Sequence, residues 1–344
     1  MKKFIETLKN CWKIEDLRQR LLITILFTAI YRFGSFVVLP GINPTLLEKL
    51  QAQTKGGLMS LLDMFSGGAF SHASIFALGI MPYISASIVL QILAVAVPYF
   101  QKMQREGESG HKKINWYTRV LTVVILLFQA PSYLLNLKVQ AGGALASGID
   151  WTTFMIPATI ILAAGSMFIL WLGERITDKG VGNGISLIIM IGIIARLPQA
   201  LIQEFSNRVS AAIGGGIVML IIEIIVLYAV VCAALLLVQG TRKIPVQYAK
   251  RVVGNKQYGG ARQYIPLKLF AANVMPIIFA QALMFIPLAI VQYSSDNTSS
   301  VLQSLMNTKS LAYNCIYVFL IIVFTYFYTA ITLNPTQMAE DMKR

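Results

Sequence analysis

The sequence is poor in charged side chains, and this scarcity limits the classes of protein to which it can belong. Only 13% of its 344 residues are charged, whereas 56% are hydrophobic. Soluble domains carry about 25% charged residues, and half of that share cannot cover a surface that faces water. Soluble enzymes and disordered chains are therefore excluded.

Cysteine and histidine are also scarce. The three cysteines, Cys11, Cys232 and Cys315, lie far apart, which argues against a disulfide framework. The two histidines, His72 and His111, stand in no metal-ligand spacing. No paired carboxylates and no Ser/His/Asp or Cys/His set lie in or beside the apolar runs, so we predict no enzyme, no cofactor and no metal.

Long apolar runs, by contrast, are abundant, and a membrane helix needs about 20 such residues. We predict an all-α polytopic membrane protein, because the strands of a membrane β-barrel would be short and alternating. Eight runs qualify or nearly qualify as spans: 21–39, 73–100, 120–137, 151–173, 181–195, 209–238, 269–293 and 310–333. The fifth is short unless it continues past Arg196 and Pro198.

The net charge of +14 comes from 29 Lys and Arg against 15 Asp and Glu. If the N-terminus is cytoplasmic and the eight spans alternate in direction, the segments on the cytoplasmic side hold 22 of these cations. The segments on the outer side hold 6. Cytoplasmic loops of membrane proteins carry such an excess of Lys and Arg. This asymmetry predicts that both ends of the chain are cytoplasmic.

The outer segment 57–72, GLMSLLDMFSGGAFSH, has two apolar helical turns followed by a pair of glycines. It is too short and too polar to span a membrane. Two interpretations remain open, a surface loop or a re-entrant segment. The second is allowed at membrane depth only where protein or water shields the backbone.

The inner piece 239–268 carries seven cations and no acid. Such a loop attracts anionic lipid, RNA or an acidic protein, although the positive-inside rule alone also explains its charge. The stretch IPVQYAKRVV has strand-like residues, and the glycines at 259–260 predict the tip of a hairpin.

Four residues within the apolar runs carry more information than hydropathy alone. Ile80 and Ile84 are four apart and share a helix face, and Pro82 between them predicts a bend in the second span. Glu223 lies in the middle of the sixth span without an intramembrane partner in the sequence. It is weak support for a proton path, and we expect it to be neutralised or packed against a partner protein.

Several long blocks carry a resemblance, in the same order, from about Asp16 to the chain end. They are YRFGSFVVLPGI at 31–42, MFSGGAFSHASIFALGIMPYISASIVLQ at 64–91, EGESGHKKINWYTR at 106–119, WLGERITDKGVGNGISL at 171–187, VQYAKR at 246–251 and IPLKLFAANVMPIIFA at 265–280. With these blocks the sequence closely resembles the SecY family, the large subunits of bacterial protein-conducting channels.

The resemblance implies ten helices in two inverted halves around an hourglass pore. The first half would be 21–203, after a cytoplasmic segment at 1–20, and the second half would be 204–344. Since only eight spans are counted, we expect the last two to be missing from a shortened sequence. Residues 58–70 resemble the family's plug, which favours the re-entrant interpretation. The expected plug residues are Leu58, Leu61, Leu62, Met64, Phe65, Ser66, Gly67 and Gly68.

The resemblance also implies three further groups of site residues. The pore ring would be Ile80, Ile84, Ile189 and Ile278, and the lateral gate would include Ser85, Gln129, Asn273 and Gln281. The docking surface for a ribosome or the motor ATPase SecA would be Arg242, Lys243, Lys250, Arg251, Lys256 and Arg262.

The implied function is to pass unfolded secretory proteins across the bacterial inner membrane and membrane-protein helices sideways into lipid. The implied partners are SecE, SecG, SecA, the ribosome with its nascent chain, signal peptides, and an accessory complex such as SecDF or a YidC-type insertase. The physical alternative is a secondary transporter with broken helices, for which Glu223 and Pro82 are the hints.

Overall fold

The computed structural model describes residues 12–43, 63, 66–140, 150–209, 216–247, 251–253, 256–258, 262–272, 275–277, 279–281, 283–284 and 310–332. The chain forms two compact units. The first comprises residues 1–200 and 279–318, and the second comprises 201–278 and 319–344.

The described residues form mainly helices. They are α1 (Glu15–Gly34), α2 (Met81–Ala96), α3 (Pro98–Arg105), α4 (Glu108–Gln140), α5 (Trp151–Lys179), α6 (Gly184–Ile194), α7 (Leu197–Val209), α8 (Gly216–Gln239) and α9 (Leu311–Thr332). Between α8 and α9 lie four strands, β1 (Thr241–Gln247), β2 (Arg251–Val253), β3 (Lys256–Tyr258) and β4 (Arg262–Lys268).

Five helical segments of the described chain are long and apolar enough to cross a membrane. They are Glu108–Leu135, Trp151–Lys179, Gly184–Arg208, Val218–Gln239 and Leu311–Ala330, and Met81–Ala94 is a shorter apolar helix. The seventh predicted span, 269–293, falls largely outside the described residues. The protein is therefore a multi-pass membrane protein, as its composition requires.

The predicted second span, 73–100, is not one helix, and this prediction was wrong. Residues 66–80 form a series of turns that we call the turn segment, and α2 begins only at Met81. Pro82 lies in the first turn of α2, where no backbone donor is needed, so it starts the helix and bends nothing. Val97 then adopts an extended conformation before Pro98, which ends the run.

The fifth predicted span continues past Pro198, as its length required. The helix is interrupted between α6 and α7 at residues 195–196, and the candidate span runs from Gly184 to Arg208. Pro198 has no amide hydrogen to donate to the Ile194 carbonyl, and its ring crowds that carbonyl. The interruption places Arg196 at a corner in the middle of the span.

The core of the first unit is made where the turn segment packs against α4 and α5. Leu126 and Leu134 of α4 and Leu162 of α5 are almost completely buried, together with Phe70 and Ala73 of the turn segment. A Cβ added at Gly165 would lie only 2.2 Å from the carbonyl oxygen of Ile75. The absence of a side chain there lets α5 contact the backbone of the turn segment directly.

Hydroxyl side chains in the helices mostly bond within their own helix. Thr122 donates to the carbonyl of Thr118 at 2.7 Å, Thr159 to that of Met155 at 2.7 Å, and Thr325 to that of Ile321 at 2.7 Å. Such bonds satisfy a polar group where no water is present. They allow polar residues in helices that face lipid.

Candidate functional site

The turn segment is the part of the first unit on which the predicted site residues converge. Ser66, Gly67 and Gly68, the described members of the predicted plug, are buried. The other predicted plug residues, Leu58, Leu61, Leu62, Met64 and Phe65, lie outside the described residues. The Tyr31 hydroxyl donates to the Ser66 carbonyl at 3.4 Å, and Tyr133 donates to the Phe70 carbonyl at 2.9 Å.

Two predicted pore-ring residues stand at the start of α2, directly after the turn segment. Ile80 caps the helix and accepts a hydrogen bond from the Ile84 amide at 3.1 Å. Both side chains are buried. A Cβ added at Gly79 would lie 3.8 Å from the Cβ of Ser66, so the two ends of the turn segment meet beside this pair of isoleucines.

Of the other two predicted pore-ring residues, the structure describes only one. Ile189 lies on α6 and is half-buried, whereas Ile278 lies outside the described residues. Both α6 and the turn segment belong to the first unit, and Gly192 of α6 contacts the turn segment. A Cβ added at Gly67 would lie 3.1 Å from the Gly192 Cα.

The predicted lateral-gate residues occupy different environments. Ser85 donates to the Met81 carbonyl of its own helix at 3.1 Å, and Gln129 on α4 is half-buried. Gln281 is buried, and its Oε1 has no hydrogen-bond partner among the described residues. Asn273 lies outside the described residues.

A polar cluster around the turn segment was missed by sequence reasoning. Asp63, whose side chain is 3% exposed, accepts a hydrogen bond from the Ser71 amide at 2.8 Å and forms an ion pair with Arg196. Arg32 donates to the Gly67 carbonyl at 3.1 Å. The pKa of His72, in the same segment, is lowered mainly by burial. The negative charge of Asp63 raises this pKa, and the positive charges of Arg196 and Arg32 lower it.

The sequence contained a signal for this cluster. Arg196 directly follows the fifth apolar run, 181–195, and stands two residues before Pro198. Charged residues at membrane depth are costly and pair with one another. An acid in the neighbouring outer segment was the natural partner for it.

Glu223 is paired, which corrects the view of it as an isolated carboxylate. It accepts from Arg208 of α7, and Arg208 also donates to Glu204 at 2.8 Å. Glu204 and Glu223 line a mostly apolar pocket of about 490 Å³ between α7 and α8. Glu223 therefore joins two successive helices, and nothing in this arrangement requires a proton path.

We expect Glu223→Gln to destabilise the contact between α7 and α8, because it removes one charge of a pair at membrane depth. The midpoint of thermal unfolding in detergent should fall by about 3 °C. Glu204→Gln is the matched control, since Glu204 bonds to Arg208 within one helix, where such pairs contribute little. A larger effect at Glu204 than at Glu223 would contradict this assignment.

The basic loop 239–268 forms two nested hairpins in the second unit. β1 pairs antiparallel with β4, from Thr241↔Lys268 to Gln247↔Arg262, and β2 pairs with β3. The last pair of the inner hairpin is Val253↔Lys256. The predicted tip at 259–260 lies outside the described residues.

The ladder arranges the predicted docking residues along an extended arm. Arg242 and Lys243 on β1 are exposed, and Tyr264 on β4 is 58% exposed. Arg251, Lys256 and Arg262 lie on the strands, and Lys250 falls outside the described residues. Because side chains alternate along a strand, Arg242 and Lys243 point to opposite faces of the arm.

Known proteins resemble this chain over most of its length. A family model described as SecY matches residues 74–344. The protein translocase subunit SecY of Aquifex aeolicus (strain VF5) is 39% identical over 343 residues, which cover 98% of this chain and 79% of that protein.

Two solved structures share the fold at lower identity. Sec61 in the canine ribosome–channel complex from the endoplasmic reticulum is 18% identical, with a TM-score of 0.59 over 94% of this chain and 76% of that chain. A SecY whose plug domain is described as stabilising the closed state of the translocation channel and maintaining a membrane seal is 18% identical, with a TM-score of 0.59 over 94% of this chain and 75% of that chain.

Proposed function

Because this chain belongs to the SecY family and is a pore-forming subunit for protein translocation, we propose that its turn segment is a plug that closes the pore at Ile80 and Ile84. One observation carries this proposal. The segment folds back into the first unit and buries Ser66 beside Gly79, next to the isoleucine pair.

The ring we propose is completed by Ile189 and Ile278. Branched apolar side chains at a constriction expel water and so impede ions. They also make no directional hydrogen bonds, so chains of many sequences can pass. This chemistry suits a pore whose substrates are unfolded secretory proteins.

We propose the family's full architecture for the complete pore, with ten spans in two inverted halves. Eight of these spans would lie in the apolar runs of this sequence. An apolar signal helix would leave the pore for the lipid through a lateral seam. The residues that line this seam would be Ser85, Gln129, Asn273 and Gln281. Polar contacts between such side chains would be worth only about 1 kcal/mol each, which suits a seam that must open.

The exposed cations of the β1–β4 arm support docking of a ribosome on the cytoplasmic face, as in the canine complex that shares the fold. SecA, SecE, SecG, and SecDF or a YidC-type insertase are further proposed partners. We place the protein in the bacterial inner membrane with its N-terminus in the cytoplasm, on the distribution of Lys and Arg.

Reconstitution into liposomes tests the function directly. The native channel complex that contains this chain should move a secretory protein into the lumen when a cytoplasmic motor is supplied. Vesicles with a small labelled solute serve as the comparison, because a secondary transporter would concentrate a solute and leave the protein outside. Solute uptake without protein transport would overturn the proposed function.

A further inference from the structure

The ion pair between Asp63 and Arg196 stands out among those of the described residues because one partner is almost completely buried. The Asp63 side chain is 3% exposed, whereas that of Arg196 is 43% exposed. Arg196 also donates to the Ser71 hydroxyl at 3.1 Å, and the second carboxylate oxygen of Asp63 accepts from the Ser71 amide at 2.8 Å. One guanidinium therefore joins the corner between α6 and α7 to both ends of a tight loop.

Further hydrogen bonds connect Asp63 to the turn segment. The Gly68 amide donates to the Asp63 carbonyl at 2.9 Å, and the Ser66 hydroxyl donates to the same oxygen at 3.2 Å. Gly68 has a φ of 94°, a conformation that favours glycine. Because Asp63 is bonded to Ser66, Gly68 and Ser71, a force on Asp63 is transmitted to the turn segment.

A second arginine holds the loop from the side of α1. Arg32 donates to the Gly67 carbonyl and lies over the Phe36 ring, with its guanidinium carbon 5.2 Å from the ring centroid. A neutral carbonyl attracts a guanidinium less strongly than a carboxylate does. The stronger contact is therefore the one with Arg196.

We propose that Asp63 and Arg196 form an ionic latch that positions the turn segment in the closed channel and is released by water when the channel opens. The inference rests on the proposed plug function. The attraction between two charges varies inversely with the dielectric constant of their surroundings. A latch of opposite charges is consequently strong while the site is dry and weak once water enters, which an apolar contact would not achieve.

The unequal burial of the two partners gives this release a direction. Water reaches the half-exposed Arg196 first, while Asp63 stays shielded as long as the loop is seated. Removal of Arg196 leaves the Asp63 carboxylate buried without compensation, whereas removal of Asp63 leaves the half-exposed Arg196 without its anchor in the turn segment. The two residues are positioning residues for the closed state and need no contact with the translocated chain.

Resting ion conductance of the native complex in planar lipid bilayers measures the closed state. We expect Asp63→Asn and Arg196→Gln each to raise it about tenfold or more. The double variant should conduct no more than either single variant, because it leaves no unpaired charge, and coupled residues are non-additive. Arg208→Gln is the matched control. It breaks the ion pair of another arginine of the same candidate span, away from the turn segment, and should leave conductance unchanged.

Three results would overturn the latch. They are unchanged conductance in both single variants, effects that simply add in the double variant, or a rise as large in Arg208→Gln. If a single variant does not accumulate in the membrane, the double variant decides: we expect its conductance to exceed that of the unaltered complex, and equality would refute the proposal. Failure of the unaltered complex to transport a secretory protein would instead refute the proposed function.

Discussion

Replacement of both Ile80 and Ile84 by serine is expected to raise the resting ion conductance of the channel complex about tenfold or more. The two side chains are buried at the point where the turn segment meets α2. An apolar constriction excludes ions because water leaves it, and hydroxyl groups would hold water there. Single-channel recording in planar bilayers, without any translocating chain, gives the measurement.

Ile156 and Ile160 offer a control of the same chemistry and spacing. They are also four residues apart on one helix, α5, but they are 70% and 62% exposed. Their double replacement by serine changes composition equally and touches no constriction, so conductance should stay at the resting level. Equal conductance in the two double variants would remove Ile80 and Ile84 from the ring.

Reversal of Arg242, Lys243, Lys250 and Arg251 to glutamate should weaken ribosome or SecA binding on the order of a hundredfold at low ionic strength. Arg242 and Lys243 are exposed on β1, and loop 239–268 offers no acid to neutralise any of the four. Since the Debye length is about 8 Å at physiological salt, the difference should shrink as salt is added. Binding to the complex in nanodiscs across a salt series checks both statements.

Four cations on the proposed cytoplasmic side, outside loop 239–268, make a charge-matched control. Arg18, Arg20, Lys112 and Lys113 each form an ion pair with an acid, from 2.9 to 3.9 Å. Their reversal to glutamate alters the net charge by the same amount without touching the β1–β4 arm. If both sets weaken binding equally, or neither does, the arm serves membrane orientation alone.

Much of the architecture follows from the order of residues along the chain. The apolar runs at 151–173 and 310–333 correspond to α5 and α9, because continuous apolar sequence can satisfy its backbone at membrane depth only as helix. The basic loop was bounded at 239–268, and the structure has α8 ending at Gln239 and β4 at Lys268. Family and function, inferred from the sequence blocks, are confirmed by the relatives.

Composition could not distinguish helix from buried turn in the second apolar run. Residues 73–80 are as apolar as α2, yet they are turns whose backbone is shielded by α4 and α5. Hydropathy reports only that a residue avoids water, and a side chain buried in protein meets that condition as well as one facing lipid. The pairing of Val253 with Lys256 was similarly hidden, since the register of a hairpin depends on both strands.

The sequence by itself determined that this protein crosses a membrane many times and which family it belongs to. These properties depend on local hydrophobicity, on counts of charge and on ordered motifs. None of these depends on the tertiary contacts between residues. Only the tertiary structure decided that Asp63 meets Arg196, that Glu223 meets Arg208, and that the turn segment is seated beside Ile80. Asp63 and Arg196 are 133 positions apart in the chain, and their attraction acts only once folding has brought them together.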